Sequence, residues 1–297
     1  MMKGLLFFVL RALINRGDIC NDFPLNASIS TEEWIALIKL IGLVALVVFT
    51  AGCESGSTNS VVSAEVNWEE FAVTKVEISR SHRLGSINPA LFGVVDQPDE
   101  VALLAEGFRS ATKMEGKLDI GKADLDLVFL GEGERQAFHL WLQPNPESKA
   151  MYTLASDTGT GYTLSEEAAN ELRDRIYALP YTPEQAAKNG EIVEMYGKYR
   201  NEDKWVKFVD HVNKGTPDEV HLTFYTLEGA PLFRDFVYDG QAIEFTYDRA
   251  WDSYGGNSIR KTTAFCQGIE KKGAKYVLSG CDREDMAPYF DGFYLSK

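Results

Sequence analysis

The chain has 297 residues, with 44 acidic against 30 basic side chains for a formal charge of −14, and 45% apolar content. That apolar share excludes disorder over the whole length, and the carboxylate surplus argues against a nucleic-acid binder or a protein held to anionic lipid by basic patches. Four cysteines make no disulfide scaffold at this length, and ~100 to 200 residues per domain allows one large domain or two modest ones.

The first element is an apolar run near residues 35–53, in which Lys39 is the only charge. Its core from Leu40 to Gly52 is 13 residues long, short of the ~20 a membrane-spanning helix needs and suited to a signal-peptide core. Thr50-Ala51-Gly52-Cys53 follows. It resembles the lipobox of bacterial lipoproteins, which implies cleavage before Cys53 and a diacylglyceryl (palmitate-type) anchor on it, with Thr50 standing where leucine is usual. Residues 1–52 are therefore expected to be a signal peptide carrying an over-called N-terminal extension. On this reading residues 1–34 are surplus and Leu37 serves as the start, against the alternative of a real but unusually long n-region. Residues 53–66, opening Glu54-Ser55-Gly56-Ser57, have the composition of a flexible tether. Residues 1–52 hold four charges of each sign, so the −14 stays with the 245 residues that remain.

Within the first folded region, 67–179, Phe71 to Ile78 alternates as a half-buried strand does. Asp99 to Arg109 places Val101, Leu104 and Phe108 at helical spacing behind an acidic start. Leu125–Leu130 and Gln136–Leu142 read as a hairpin around Gly131-Glu132-Gly133-Glu134, and Lys149–Ala155 as a further strand. Ser165 or Thr163 caps a helix whose inner face carries Leu172 and Ile176. Phe138-His139-Leu140-Trp141-Leu142, Met151-Tyr152-Thr153 and Gly161-Tyr162-Thr163-Leu164-Ser165 resemble the YhfM-like domain of small lipoproteins from Gram-positive spore-formers, over about residues 70–178.

Pro180 and Pro183 mark a boundary, and a second region, 181–297, follows. Thr182-Pro183 starts a helix that Gly190 stops. A strand is expected over Glu191–Tyr199, then a helix over Asp203–Val212 with Trp205, Phe208, Val209 and Val212 on one face. Five period-two segments follow: Val220–Leu227, Leu232–Tyr238, Ala242–Tyr247, Lys261–Ile269 and Lys275–Cys281. The fold class of both regions is α+β, antiparallel sheet with one or two packed helices. Asn189-Gly190-Glu191-Ile192-Val193, Phe224 to Leu232, and Tyr247-Asp248-Arg249 with Asp252 and Gly255-Gly256 resemble a C-terminal domain of unknown function found in the same class of lipoproteins. Neither resemblance implies an activity.

Cys266 and Cys281 allow a geometric test. A two-residue turn at Gly273-Ala274 sets residues whose numbers sum to 547 opposite each other, and these two cysteines do. Opposed Cα atoms ~4.5 to 5.5 Å apart suit a disulfide, against the alternative of two buried thiols; no metal ligand stands near them in the sequence. The four histidines are scattered, and neither a His-Glu-x-x-His motif nor a nucleophile elbow is present. His139 reads as a hydrogen-bonded core or edge residue. Asp124 and Asp126 share a strand face, compatible with a cation or acid–base work, though a solvated face is the plainer reading. Asp248 and Asp252 beside Gly255-Gly256 match a calcium loop only loosely. No cofactor, metal or nucleic acid is expected.

These readings lead to a lipid-anchored protein at the outer face of the cytoplasmic membrane that serves as a binding or assembly module. Its partner is an envelope protein or the cell wall, met at Trp251–Tyr254 or Tyr289–Tyr294. The alternative is an envelope hydrolase using paired carboxylates on cell-wall glycans. A cleft holding two acids with perturbed pKa values would favour the enzyme, and an exposed apolar patch the binder.

Overall fold

A computed structural model of the protein describes residues 66–195, 197–255 and 260–295. The expected signal segment 1–52, Cys53 and the tether up to residue 65 lie outside the described residues. The described part belongs to one compact unit, Ser63–Lys297.

Its first half runs β1 (Val73–Arg80), β2 (Leu91–Val95), α1 (Pro98–Arg109), β3 (Thr112–Lys113), β4 (Leu125–Gly131), β5 (Arg135–Trp141), β6 (Met151–Leu154), β7 (Asp157–Thr163) and α2 (Glu166–Ile176). The strands form one sheet in the order β2-β1-β4-β5-β6-β7-β3, all pairs antiparallel. Capping chemistry sets the helix starts. Pro98 stands at the first turn of α1 beside Asp99 and Glu100, and the Ser165 side chain accepts from the Ala168 N–H to open α2. Leu104 and Phe108 of α1 and Leu172 and Ile176 of α2 are fully buried, as their spacing predicts.

After Pro180 come α3 (Pro183–Lys188), β8 (Ile192–Met195), β9 (Lys198–Arg200), α4 (Asp203–Asn213), β10 (Asp218–Tyr225), β11 (Pro231–Tyr238), β12 (Ile243–Asp248), β13 (Lys261–Cys266), β14 (Gly268–Lys272), β15 (Lys275–Ser279), a 3-10 turn (Glu284–Tyr289) and β16 (Phe293–Tyr294). Strands β13-β12-β11-β10-β8-β9 form a second sheet and β14-β15-β16 a third. The architecture is α+β with mainly antiparallel sheets; β8 against β10 is a parallel pair. The single strand expected over Glu191–Tyr199 is a hairpin, β8 with β9, turned through Gly197 at φ 75°. The segment expected over Lys261–Ile269 breaks after Cys266, so that β13 stays in the second sheet and β14 starts the third.

Two apolar clusters fill the interior. Trp205 and Phe208 of α4 pack on Phe236, Phe245 and Phe293 in one of them. The other spans the first sheet and continues past Pro180 to Tyr181, Phe233, Ala250 and Trp251. Phe92 stacks on Tyr181 and lies 4.6 Å, ring to ring, from Trp251, so the seam between the first and second sheets is itself a dry aromatic contact.

Candidate functional site

Polar groups converge on that seam. Arg80 ends β1, and its guanidinium donates to both carboxylate oxygens of Asp235 on β11. Side-chain exposures of 8% and 5% make this a buried ion pair. The guanidinium also lies 3.7 Å over the ring of Phe233. Burial works against the charge on Asp235, but Arg80 and His221 outweigh it and hold the carboxyl well below its ordinary range. His221 Nδ1 donates to Asp235 Oδ1 at 2.8 Å, since a carboxylate paired with arginine can only accept. The His82 ring stacks on His221 with centroids 4.0 Å apart. Burial, reinforced by the neighbouring His221, pushes His82 down to about 2.

His82, His221 and Asp235 place ligand-type atoms within 4.8 Å of one another, a proximity that the scatter of histidines along the chain hides. Arg80 already engages both oxygens of Asp235, so this cluster carries its own cation and acts as a clamp between sheets.

A second dyad is fully buried. Asp126 on β4 faces His139 on β5 in register, with Asp126 Oδ1 2.8 Å from His139 Nδ1. The Gly85 N–H donates to His139 Nε2 at 2.8 Å, which places the ring proton on Nδ1 and gives it to Asp126. Asp126 Oδ2 accepts the Asn88 N–H. The dyad thus pins the loop between β1 and β2. The solvated face expected for Asp126 is wrong: this residue is 1% exposed, because His139 stands opposite on one oxygen and the Asn88 N–H donates to the other.

The remaining acidic candidates separate. Asp124 lies one residue before β4 and accepts the Leu142 N–H on Oδ2 and the Lys261 ammonium on Oδ1. Asp252 accepts from Arg249 on one oxygen and from the Tyr254 N–H on the other. Asp248 ends β12, is 6% exposed and accepts the Ala250 N–H. Burial pushes its carboxyl up, with Lys261 and Arg80 pulling it part of the way back. Asp124 and Asp248 thus line one pocket of about 240 Å³ with Lys261, Arg260, Tyr177 and Trp251. No pairing of Asp124 with Asp126 for chemistry exists, since their carboxylates serve different partners.

The groove extends along the seam. Tyr177 and Trp251 also line a pocket of about 180 Å³ with Pro180, Tyr181 and Tyr254. Pro180, Tyr181 and Gly229 continue into one of about 490 Å³ that includes Pro183, Met195, Tyr225 and Leu227. Leu227 is 91% and Tyr254 82% exposed at its rim. Of the aromatic stretches expected to meet a partner, Trp251 is buried and Tyr254 is free. In Tyr289–Tyr294, Phe290 and Phe293 are core residues around Trp205, while Tyr294 is exposed.

Cys266 and Cys281 form a disulfide. The hairpin keeps the register deduced from the sequence, Ile269 opposite Leu278 and Lys272 opposite Lys275. The Cα atoms are 3.9 Å apart, closer than for ordinary facing residues, and Gly280 beside Cys281 has φ 62°.

The chain thus combines an α+β scaffold with an acidic, aromatic seam. A sequence family described as a domain of unknown function, DUF4362, matches residues 189–276, which takes in α4 and β8 to β14. No curated protein and no solved structure matches the chain.

Proposed function

We propose that the protein is a membrane-anchored extracytoplasmic lipoprotein, tethered through Cys53, whose 67–179 region is a YhfM-like domain. In this reading it is a binding or assembly module at the cell envelope. The observation that carries the reading is the groove along the seam, with Leu227 and Tyr254 presented at its rim. Its walls of proline and tyrosine suit an extended polypeptide, which such surfaces take by stacking and at small ordering cost. Glu228 in the groove wall and the overall −14 favour a basic segment of an envelope protein as the occupant. The hydrolase alternative has less support, because Asp124, Asp126 and Asp252 each have both oxygens engaged by the protein. What favours it is Asp248, whose carboxyl burial pushes up in the pocket it shares with Asp124.

Attachment falls to the acyl chains of Cys53, since an acidic surface is repelled by anionic lipid and no helix among the described residues is long and apolar enough to cross a membrane. The test is site-specific photocrosslinking in intact cells from position 227, from position 254, and from Glu132 in the far β4–β5 turn. Products specific to the first two positions and lost in Cys53→Ala support the reading. Equal products from all three, or a glycan in place of a protein, refute it.

A further inference from the structure

We propose that Lys261 and Asp124 join in an intramolecular isopeptide bond across the seam, with Asp248 carrying the protons. Lys261 is the first residue of β13, and Asp248, the last of β12, faces it directly in the ladder. Asp124 comes from the other sheet, and its Oδ1 lies 2.8 Å from Lys261 Nζ, which leaves Cγ one bond beyond. Reactants held in this way gain an effective concentration no intermolecular pair has.

The surroundings supply the remaining groups such a reaction uses. The Leu142 N–H points at Asp124 Oδ2 from 3.0 Å, where negative charge develops when the carboxyl carbon becomes tetrahedral. Asp248 is buried, faces Lys261 in the ladder and lines the same pocket as Asp124. Burial works against the Lys261 ammonium, but both acids outweigh it and hold its pKa up. The raised affinity of Asp248 for a proton suits it to receive the one that must leave and pass it on. The adjoining pocket of about 240 Å³ gives water a way out.

The step balances without any other reactant. The Lys261 ammonium gives one proton through Asp248 to Asp124 Oδ1, and the freed amine attacks Cγ. A second proton then follows the same route from nitrogen to Oδ1, the Cγ–Oδ1 bond breaks and water leaves. Of the three ammonium protons, one stays on the amide nitrogen and two leave with the oxygen. Nothing is oxidised or reduced.

The bond would tie residues 137 apart in sequence. Strand β13 lies at the edge of its sheet and ends in the disulfide at Cys266; the amide at Lys261 would fix its other end. Lys261 stays 34% and Asp124 18% exposed in side chain, so the bond forms at the pocket rim.

The test is the intact mass of the purified full chain, reduced and denatured, followed by tryptic fragmentation. The expected result is a mass one water below that of the sequence from its observed N-terminus with any acyl group on Cys53 added. A branched peptide containing residues 124 and 261, with no cleavage after Lys261, accompanies it. Lys261→Arg and Asp124→Ala restore the full mass. Asp248→Asn restores it as well, in a protein that still forms its disulfide. A wild-type mass equal to that of the sequence overturns the proposal, as does a water loss that persists in Lys261→Arg. Complete bond formation in Asp248→Asn overturns the role of Asp248.

Discussion

Replacing Asp235 by asparagine keeps the shape of the seam and removes one charge. The Arg80 guanidinium, 8% exposed in side chain, then stays buried over the Phe233 ring with no carboxylate on its fork. Removing one member of a buried pair costs ~3 to 5 kcal/mol, a large share of the ~5 to 15 kcal/mol that stabilises an ordinary domain. Arg80→Met has the converse effect: Asp235 keeps only the His221 N–H, and the loss falls at the lower end of that range. In the double variant the asparagine oxygen still accepts from His221 and a thioether replaces the guanidinium on Phe233. It should be more stable than Asp235→Asn alone, with a coupling of ~2 kcal/mol or more between the two sites. Urea unfolding followed by tryptophan fluorescence measures all four proteins, since Trp251 sits at the seam and Trp205 in the separate cluster around α4. A loss below ~1 kcal/mol for Asp235→Asn, or simple additivity in the double variant, would refute the clamp.

Acid should weaken the fold through His82. Its pKa falls from an ordinary 6.5 to about 2 on folding because it is buried beside His221. The unfolded chain therefore binds the extra proton between those limits, and stability is lost as pH drops below 6.5, by at most ~1.4 kcal/mol per pH unit. His82→Phe should flatten the stability curve between pH 6 and pH 4, on the order of that span; an unchanged slope would exclude His82 as the source. Replacing Cys266 and Cys281 by serine opens a cross-link with a sequence separation of 15 and should cost ~3 kcal/mol. Alkylation of the denatured, unreduced wild type should add no label at either cysteine, and two labels there would disprove the bond. Trp205→Ala empties a fully buried site and should cost ~3 to 5 kcal/mol, read as a lower midpoint in urea.

Local chemistry made the helices legible. Ser165 before Ala168 and Thr182 before Gln185 are caps that the sequence displays, and both side chains accept the expected N–H. The hairpin arithmetic that pairs Cys266 with Cys281 also applies at the turn 131–134, where it sets Asp126 opposite His139; a carboxylate on a strand gives no local sign that it is buried. Strand β7 (Asp157–Thr163), with glycines at 159 and 161, matches no element expected from the sequence. It becomes a strand through pairing with β6 and β3, since β structure follows its neighbours more than its own composition. Lys261 reaches Asp124 from another sheet, 137 residues away, and no local pattern carries that information.

The seam separates two physical tasks. Apolar contact among Phe92, Tyr181, Phe233 and Trp251 supplies adhesion, and such contact is non-directional. Position comes from polar groups that have one correct partner. Asn189 and Gln185 donate to the Leu91 carbonyl on β2, Arg80 meets Asp235, and Lys261 meets Asp124. A groove built across two sheets keeps its shape only while they hold one register, so the clamps govern the groove that presents Leu227 and Tyr254 at its rim. Arg80→Met with Asp235→Asn should therefore regain much of its stability and still lose crosslinking from position 227. Full retention of that crosslink would mean that the aromatic contact alone sets the register.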